Sequence, residues 1–291
     1  MPAPEPSLEP SLEPSAEPAC VSATLELARQ IRIESLRMVH RARAAHIGSA
    51  LSMSDIVAVL FGSVMTLDAT RPQWAQRDRF ILSKGHACVA VYAALAEKGY
   101  FDKSRLLSFG VDHSDFMSHI SHKVPGVEFS TGSLGHGLPF GVGKAMAAKR
   151  QGADWRTFVI LGDGELAEGS NWEAFMFASH HRLDKLVAII DYNKLQSLTT
   201  VAQTLALEPL ALKLAAFGWS VRELDGHDHV ALENALSSLP WEPGRPSVLV
   251  AHTVKGKGVS FMENSVVWHY RNPDDAQLAM ALAELEGPTL A

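Results

Sequence analysis

Gly162-Asp163-Gly164 and Asn193 are the residues of this 291-residue chain whose types and spacing point most directly to chemistry. The apolar run from Thr157 to Leu161 stops at the Gly-Asp-Gly triplet, and a second run, LVAIIDY, ends at Asn193. Continuous β-branched runs of this kind are expected of strands buried on both faces of a parallel sheet. Open α/β sheets place their ligands at the carboxyl ends of such strands. The two positions lie about thirty residues apart, the length of one βαβ unit, so Asp163 and Asn193 are expected side by side on that edge. A carboxylate, an amide oxygen and a backbone carbonyl just beyond the asparagine make a hard-oxygen set. It suits Mg²⁺, or else Ca²⁺ or Mn²⁺, with phosphate oxygens completing the shell.

The elements that must position these groups can be read on either side. A helix is expected from Thr24 to about Ala45, with Leu27, Ile31 and Met38 at near-helical spacing. Ser54 and Asp55 look like the start of a further helix, and Phe80 to Leu82 like a short strand. Gly135 to Arg150 reads as a helix in which Gly137, Gly141 and Ala145 recur every fourth residue, a stripe that lets another backbone approach. Trp219 to Leu224 and Ser247 to Thr253 read as strands, with a helix at Val230 to Ser237 between them. Asp225-Gly226-His227-Asp228 is the strand-to-helix turn, with Asp228 as N-cap and no catalytic role. This alternation predicts an α/β fold, a doubly wound and mostly parallel sheet, as one domain over 24–271. A surface helix is expected in 272–291. Residues 1–23 contain Ser-Leu/Ala-Glu-Pro three times between Ser7 and Pro18, and proline at every fourth position predicts a disordered tail.

Composition narrows the class of function. With 47% apolar residues the chain can bury a large core, and a net charge of −6 offers no basic footprint for nucleic acid. Only Cys20 and Cys88 are present, too few for a disulfide framework, which fits a reducing cytoplasm. No apolar run reaches the length of a membrane span, and the N-terminus has no signal-peptide pattern.

The Gly-Asp-Gly to Asn pattern resembles the diphosphate-anchoring motif of thiamine-diphosphate enzymes. Four further segments extend the resemblance to the N-terminal, diphosphate-binding half of transketolase. They are AHIGSALSMSD (45–55), RDRFILSKGHACVAVY (77–92), SHISHKVPGVEFSTGSLGHGLPFGVG (118–143) and AHTVKGKGVSFMENSVVWHY (251–270). The resemblance spans residues 24–271 and implies roles residue by residue. Asp163, Asn193 and the Leu195 carbonyl would be metal ligands. Gly162, Gly164 and the loop Gly132-Ser133-Leu134 would lie against thiamine diphosphate, where missing side chains permit close approach. Glu168 matches a carboxylate near the dimer interface between two cofactor sites; the alternative is an exposed residue in a helix's first turn, favoured by the macrodipole.

Four histidines, His46, His86, His119 and His269, match the family's active-site set. Imidazoles suit the expected reaction, since cleaving a C–C bond beside a ketose carbonyl requires a hydroxyl proton to leave and an oxyanion to be stabilised near neutral pH. His113, His122, His136, His180 and His181 are left with structural readings, and no Cys or acidic partner supports a zinc site at His119 and His122. Three positions depart from the family. Ile47 follows His46 where proline is usual, Ser133 replaces a common proline, and Tyr270 follows His269 in place of glycine.

These departures resemble the split, two-gene branch of the family. The resemblance ends near residue 271, before the half that binds the aminopyrimidine ring. It therefore implies a separate C-terminal, pyrimidine-binding subunit, an α₂β₂ heterotetramer, and transfer of a two-carbon ketol unit between sugars or sugar phosphates. Two alternatives stay open: a related two-carbon transfer in a specialised biosynthetic pathway, and a non-catalytic cofactor-binding or regulatory subunit.

Overall fold

A computed structural model describes residues 19–287 of the protein, so the expected tail over 1–18 lies outside the described residues. Five strands, β1 (Arg79–Leu82), β2 (Thr157–Gly162), β3 (Leu186–Tyr192), β4 (Ser220–Asp225) and β5 (Ser247–His252), form one sheet in the order β1-β2-β3-β5-β4. Every pairing is parallel. The helices are α1 (Ala19–Ala42), α2 (Ile47–Ser52), α3 (Ser54–Val59), α4 (Cys88–Glu97), α5 (Gly137–Gln151), α6 (Gly169–His180), α7 (Val201–Thr204), α8 (Leu210–Ala216), α9 (His229–Ser237) and α10 (Asp275–Glu286). Among the described residues no helix is long and apolar enough to cross a membrane.

The two-residue period of the strands divides the core. Phe158, Ile160, Val187 and Ile189 face one layer with α1, α3, α4 and α9, whereas Val159, Leu161, Ala188 and Ile190 face another with α5, α6 and α8. Apolar side chains on both faces explain why these strands carry no polar alternation.

Helix α1 begins at Ala19, inside the stretch expected to be tail, because Val21 is buried and Thr24 Oγ1 donates to its carbonyl. Helix α3 does start at Ser54, but its N-cap position is Met53 and Asp55 caps nothing. Asp55 is instead buried against Arg32, so a carboxylate that looked like a helix-start signal is a long-range ion pair. Asp228 does cap α9, accepting from the Ala231 N–H. Helix α10 opens with a reciprocal capping box between Asp274 and Gln277, and it buries Ala281 against the core.

The small-residue stripe of α5 works against the sheet. A Cβ at Gly141 would sit 2.6 Å from Val159 Cγ2, and one at Gly137 would sit 2.6 Å from Ser83 Cα. Gly141→Ala is therefore expected to lower stability by up to about 2 kcal/mol, since overpacking of about 1–3 kcal/mol opposes the ~1 kcal/mol helix-propensity gain of alanine. Urea unfolding of the two chains checks it.

Candidate functional site

The carboxyl ends of four adjacent strands build one cavity. Strand β1 delivers Ser83 and Lys84, β2 delivers Asp163, β3 delivers Asn193, and the segment after β5 delivers Lys255. The β2–β3 register pairs Gly162 with Asp191, so Asp163 and Asn193 leave the sheet together. The cavity, of about 280 Å³, is lined by Lys84, Asp163, Asn193 and Lys255 with His86, Leu134, Leu195 and His269 among others. A larger apolar cavity of about 580 Å³ lies beyond Asn193 and contains none of the histidines.

Asp163 is buried, and its oxygens accept from the backbone N–H groups of Gly164 (2.7 Å) and Lys194 (2.5 Å), neither of which neutralises it. Burial, and then the charge of Asp191, pushes its carboxyl up to about 6. Asn193 Oδ1 accepts from the Leu195 N–H at 3.1 Å. The Leu195 carbonyl accepts from Lys255 Nζ at 3.0 Å. Among the described residues no group of three or more His, Cys, Asp or Glu side chains could hold a metal. A cation at Asp163 would thus need the asparagine and carbonyl oxygens that spacing suggested.

The four histidines converge. The His46 ring lies 5.1 Å from His86, 5.8 Å from His119 and 5.0 Å from His269, centroid to centroid. His46 occupies the left-handed region, with φ 75°, at the start of α2, and its N–H donates to the His269 carbonyl at 2.8 Å. That bond ties two segments more than two hundred residues apart in sequence. The Tyr270 ring leans on both His46 and His269, at 6.5 and 4.9 Å.

Burial lowers the affinity of these rings for protons. His46 falls to about 4 through burial, then through the charges of His119 and Lys255. His269 falls to about 3 through burial, then through Lys255 and His46. His86 is held well below the usual histidine range by burial and by Lys84. All three are neutral at pH 7. The unfolded chain, with histidines near pH 6.5, binds protons that the folded chain refuses as pH falls, so stability is full above about pH 6.5 and is lost toward about pH 4. His46→Asn is expected to make that acid loss shallower, which denaturant titrations of the chain between pH 7.5 and pH 4.5 would show.

Several site groups escaped the sequence reading. Lys84, almost fully buried, pairs with Asp191 and donates to the Ser49 carbonyl at 3.1 Å. Burial raises the Asp191 carboxyl, but Lys84 and the Ser52 and Thr253 hydroxyls outweigh it and hold it below its ordinary value. Lys255, also almost fully buried, spends its donors on the Leu195 and Gln196 carbonyls and on His269 Nδ1 rather than on a carboxylate. Burial and Lys84 lower it to about 8. Glu165 is buried and accepts from Ser83 Oγ and from the N–H groups of Gly135 and Gly162, which ties the α5 entry to the Gly-Asp-Gly turn. One signal was available: Asp191 is a charge inside a strand otherwise apolar on both faces, and such a charge needs a partner.

Other expected residues stand outside the cavity. Gly132 and Ser133 are exposed, with Gly132 close to the His119 ring. Glu168 is exposed at the N-cap position of α6 and makes no cap hydrogen bond. His122 is exposed and bonded to Ser130 Oγ, in keeping with its structural reading.

Comparison with known proteins places this arrangement. Residues 23–281 match the family described as transketolase, thiamine diphosphate binding domain. The chain is 40% identical over 263 residues to one of the subunits of apulose-4-phosphate transketolase from Phocaeicola vulgatus, covering 90% of this chain and 94% of that one. It is 38% identical to a 6-deoxy-6-sulfo-D-fructose transketolase subunit of Clostridium sp., covering 89% and 94%. Its structure superposes on transketolases from Leishmania mexicana (TM-score 0.85, 32% identity) and Campylobacter jejuni (TM-score 0.86, 30% identity). In both, about nine-tenths of this chain covers only 41% and 43% of the solved chain. With its parallel sheet and matched segments, the chain belongs to the transketolase family, within its thiamine diphosphate-binding domain.

Proposed function

We propose that this chain is the diphosphate-holding subunit of a split transketolase. With a separate pyrimidine-binding subunit, it transfers a two-carbon ketol unit from a ketose or ketose phosphate to an aldose or aldose phosphate. The observation that carries the reading is a cluster of four imidazoles, two of which, His86 and His269, line one cavity with Asp163 and Asn193. Relatives named as separate subunits match along nearly their whole length, which supports a two-chain enzyme.

The residues fit thiamine diphosphate with Mg²⁺. Asp163 is a buried carboxylate that no cationic side chain bonds, and Asn193 Oδ1 and the Leu195 carbonyl add the neutral oxygens a hard cation takes. Two buried ammonium groups, Lys84 and Lys255, bring positive charge toward a diphosphate. Gly162 and Gly164 leave the loop without bulk. When bound, the thiazolium supplies the electron sink for C–C cleavage.

This chain's own contribution is proton handling. Because His46 is neutral at pH 7, it can accept the hydroxyl proton of the ketose. His269 has its Nδ1 turned to Lys255, which leaves Nε2 for donation to a developing oxyanion. Exposed Tyr270 and half-buried His119 flank His46, and we place the entering sugar beside them. The complex of this chain with its partner subunit, offered ketose phosphates and pyruvate as donors with an aldose phosphate acceptor, is expected to turn over the ketoses and leave pyruvate. Turnover of pyruvate alone would replace this reading.

A further inference from the structure

We infer that His227, in the Asp-Gly-His-Asp turn after β4, is a positioning residue for Lys255; the inference rests on the proposed diphosphate site. The turn is built to reach the segment after β5. A Cβ at Gly226 would lie 2.4 Å from Thr253 Cγ2, so only glycine lets the turn sit there, and the Gly226 N–H donates to the His252 carbonyl at 2.8 Å. This brings His227 beside Val254. The Val254 N–H donates to His227 Nε2 at 2.8 Å, so that nitrogen is an acceptor and the ring proton sits on Nδ1. Nδ1 in turn meets Asp55 Oδ2 at 2.6 Å.

Asp55 is the hub. Arg32 binds both its oxygens, at 2.9 and 2.5 Å, and His229 Nε2 lies 3.1 Å from Oδ1 while its Nδ1 meets Thr24 Oγ1. The carboxyl is therefore a fixed anion, since Arg32 and the imidazoles outweigh the burial that would raise it. Arg32 also grips the other side of the same segment, with Nε donating to the Lys257 carbonyl at 3.0 Å. One buried anion thus anchors both flanks of Val254–Lys257. Between them, the Lys255 carbonyl accepts from the Asn264 N–H and the Gly256 N–H donates to the Gly48 carbonyl. Lys255 Nζ meets the Leu195 and Gln196 carbonyls from a backbone held on every side. None of the network lines the cavity, so it acts only through Lys255. Buried supports of this kind typically change ligand affinity by 10- to 100-fold when broken.

Two substitutions separate the halves of the imidazole. Asparagine keeps a donor near the position of Nδ1 but is too short to accept from Val254, whereas glutamine carries an oxygen out to the reach of Nε2. In the complex with the partner subunit, thiamine diphosphate is titrated with Mg²⁺ by calorimetry. His227→Asn is expected to weaken binding roughly 10-fold or more, and His227→Gln less than about 3-fold, with both chains folded. In a Lys255→Met background, His227→Asn is expected to add no further loss, because the two residues act as one unit. Equal loss in the asparagine and glutamine chains, or a loss that persists without Lys255, would overturn the inference. If the asparagine chain does not fold, the glutamine chain decides, and a loss above about 3-fold overturns it. Wild-type complex that binds no thiamine diphosphate overturns the parent reading and this one together. Wild-type binding with an unchanged His227→Asn overturns this one alone.

Discussion

Asp163→Asn is expected to remove Mg²⁺-dependent binding of thiamine diphosphate, weakening it roughly 100-fold or more, while the chain still folds. The asparagine keeps the shape and one acceptor for the Gly164 and Lys194 N–H groups that now bond the carboxylate. The other N–H then faces an amide donor, which costs about 1–3 kcal/mol and leaves most of a typical domain's stability in place. What asparagine cannot supply is negative charge. A divalent cation bound by Asn193 and a carbonyl alone has two neutral oxygens and no counter-charge from the protein, so affinity falls much further than stability does. Calorimetry with and without Mg²⁺, beside thermal unfolding of the same chain, separates the two effects. An Asp163→Asn chain that binds as tightly as wild type would remove Asp163 from the metal site.

His46→Asn is expected to lower turnover by about 10²- to 10⁴-fold, the range for losing one general acid–base group, with cofactor affinity changed only a few-fold. Asparagine is the test residue because His46 has φ 75°, a conformation that asparagine tolerates far better than alanine. The backbone bond to the His269 carbonyl is then kept. The effect belongs to the ring: it is the centre of the cluster, within 6 Å of three other imidazoles, and neutral at working pH. Losing it removes the proton acceptor and widens the space among the rest. The prediction is a fall in kcat with little change in the cofactor titration, and a change in cofactor affinity as large as the change in kcat would point to a binding role instead.

How much of this could be read from the sequence depended on whether a signal was local. Thr157–Leu161 and the Val248–Ala251 core of Ser247–Thr253 are apolar runs, and each became an interior strand because both faces are covered. The pairing of Asp163 with Asn193 was legible for the same reason, since a βαβ unit has a nearly fixed length. Asp55 misled because a buried ion pair looks, in sequence, like a helix-start acid. Its partners Arg32 and His227 lie 23 and 172 positions away, and no local pattern connects them. Lys84 and Lys255 were passed over on the same ground, because a lysine is taken as solvated until a buried partner is known. The Lys84 partner, Asp191, is 107 positions on. Glu168, singled out by resemblance, stays at the surface of this chain, while Glu165, three residues earlier, holds the turn.

The central claim is that this chain holds half a cofactor site, which a second chain completes. Calorimetric titration of thiamine diphosphate in Mg²⁺ into this chain, alone and premixed with a pyrimidine-binding partner subunit, tests it directly. The account predicts weak binding alone and tight, Mg²⁺-dependent binding in the mixture. Equally weak binding in both, with a partner that demonstrably associates, would contradict it and leave a family member that keeps the fold without the site.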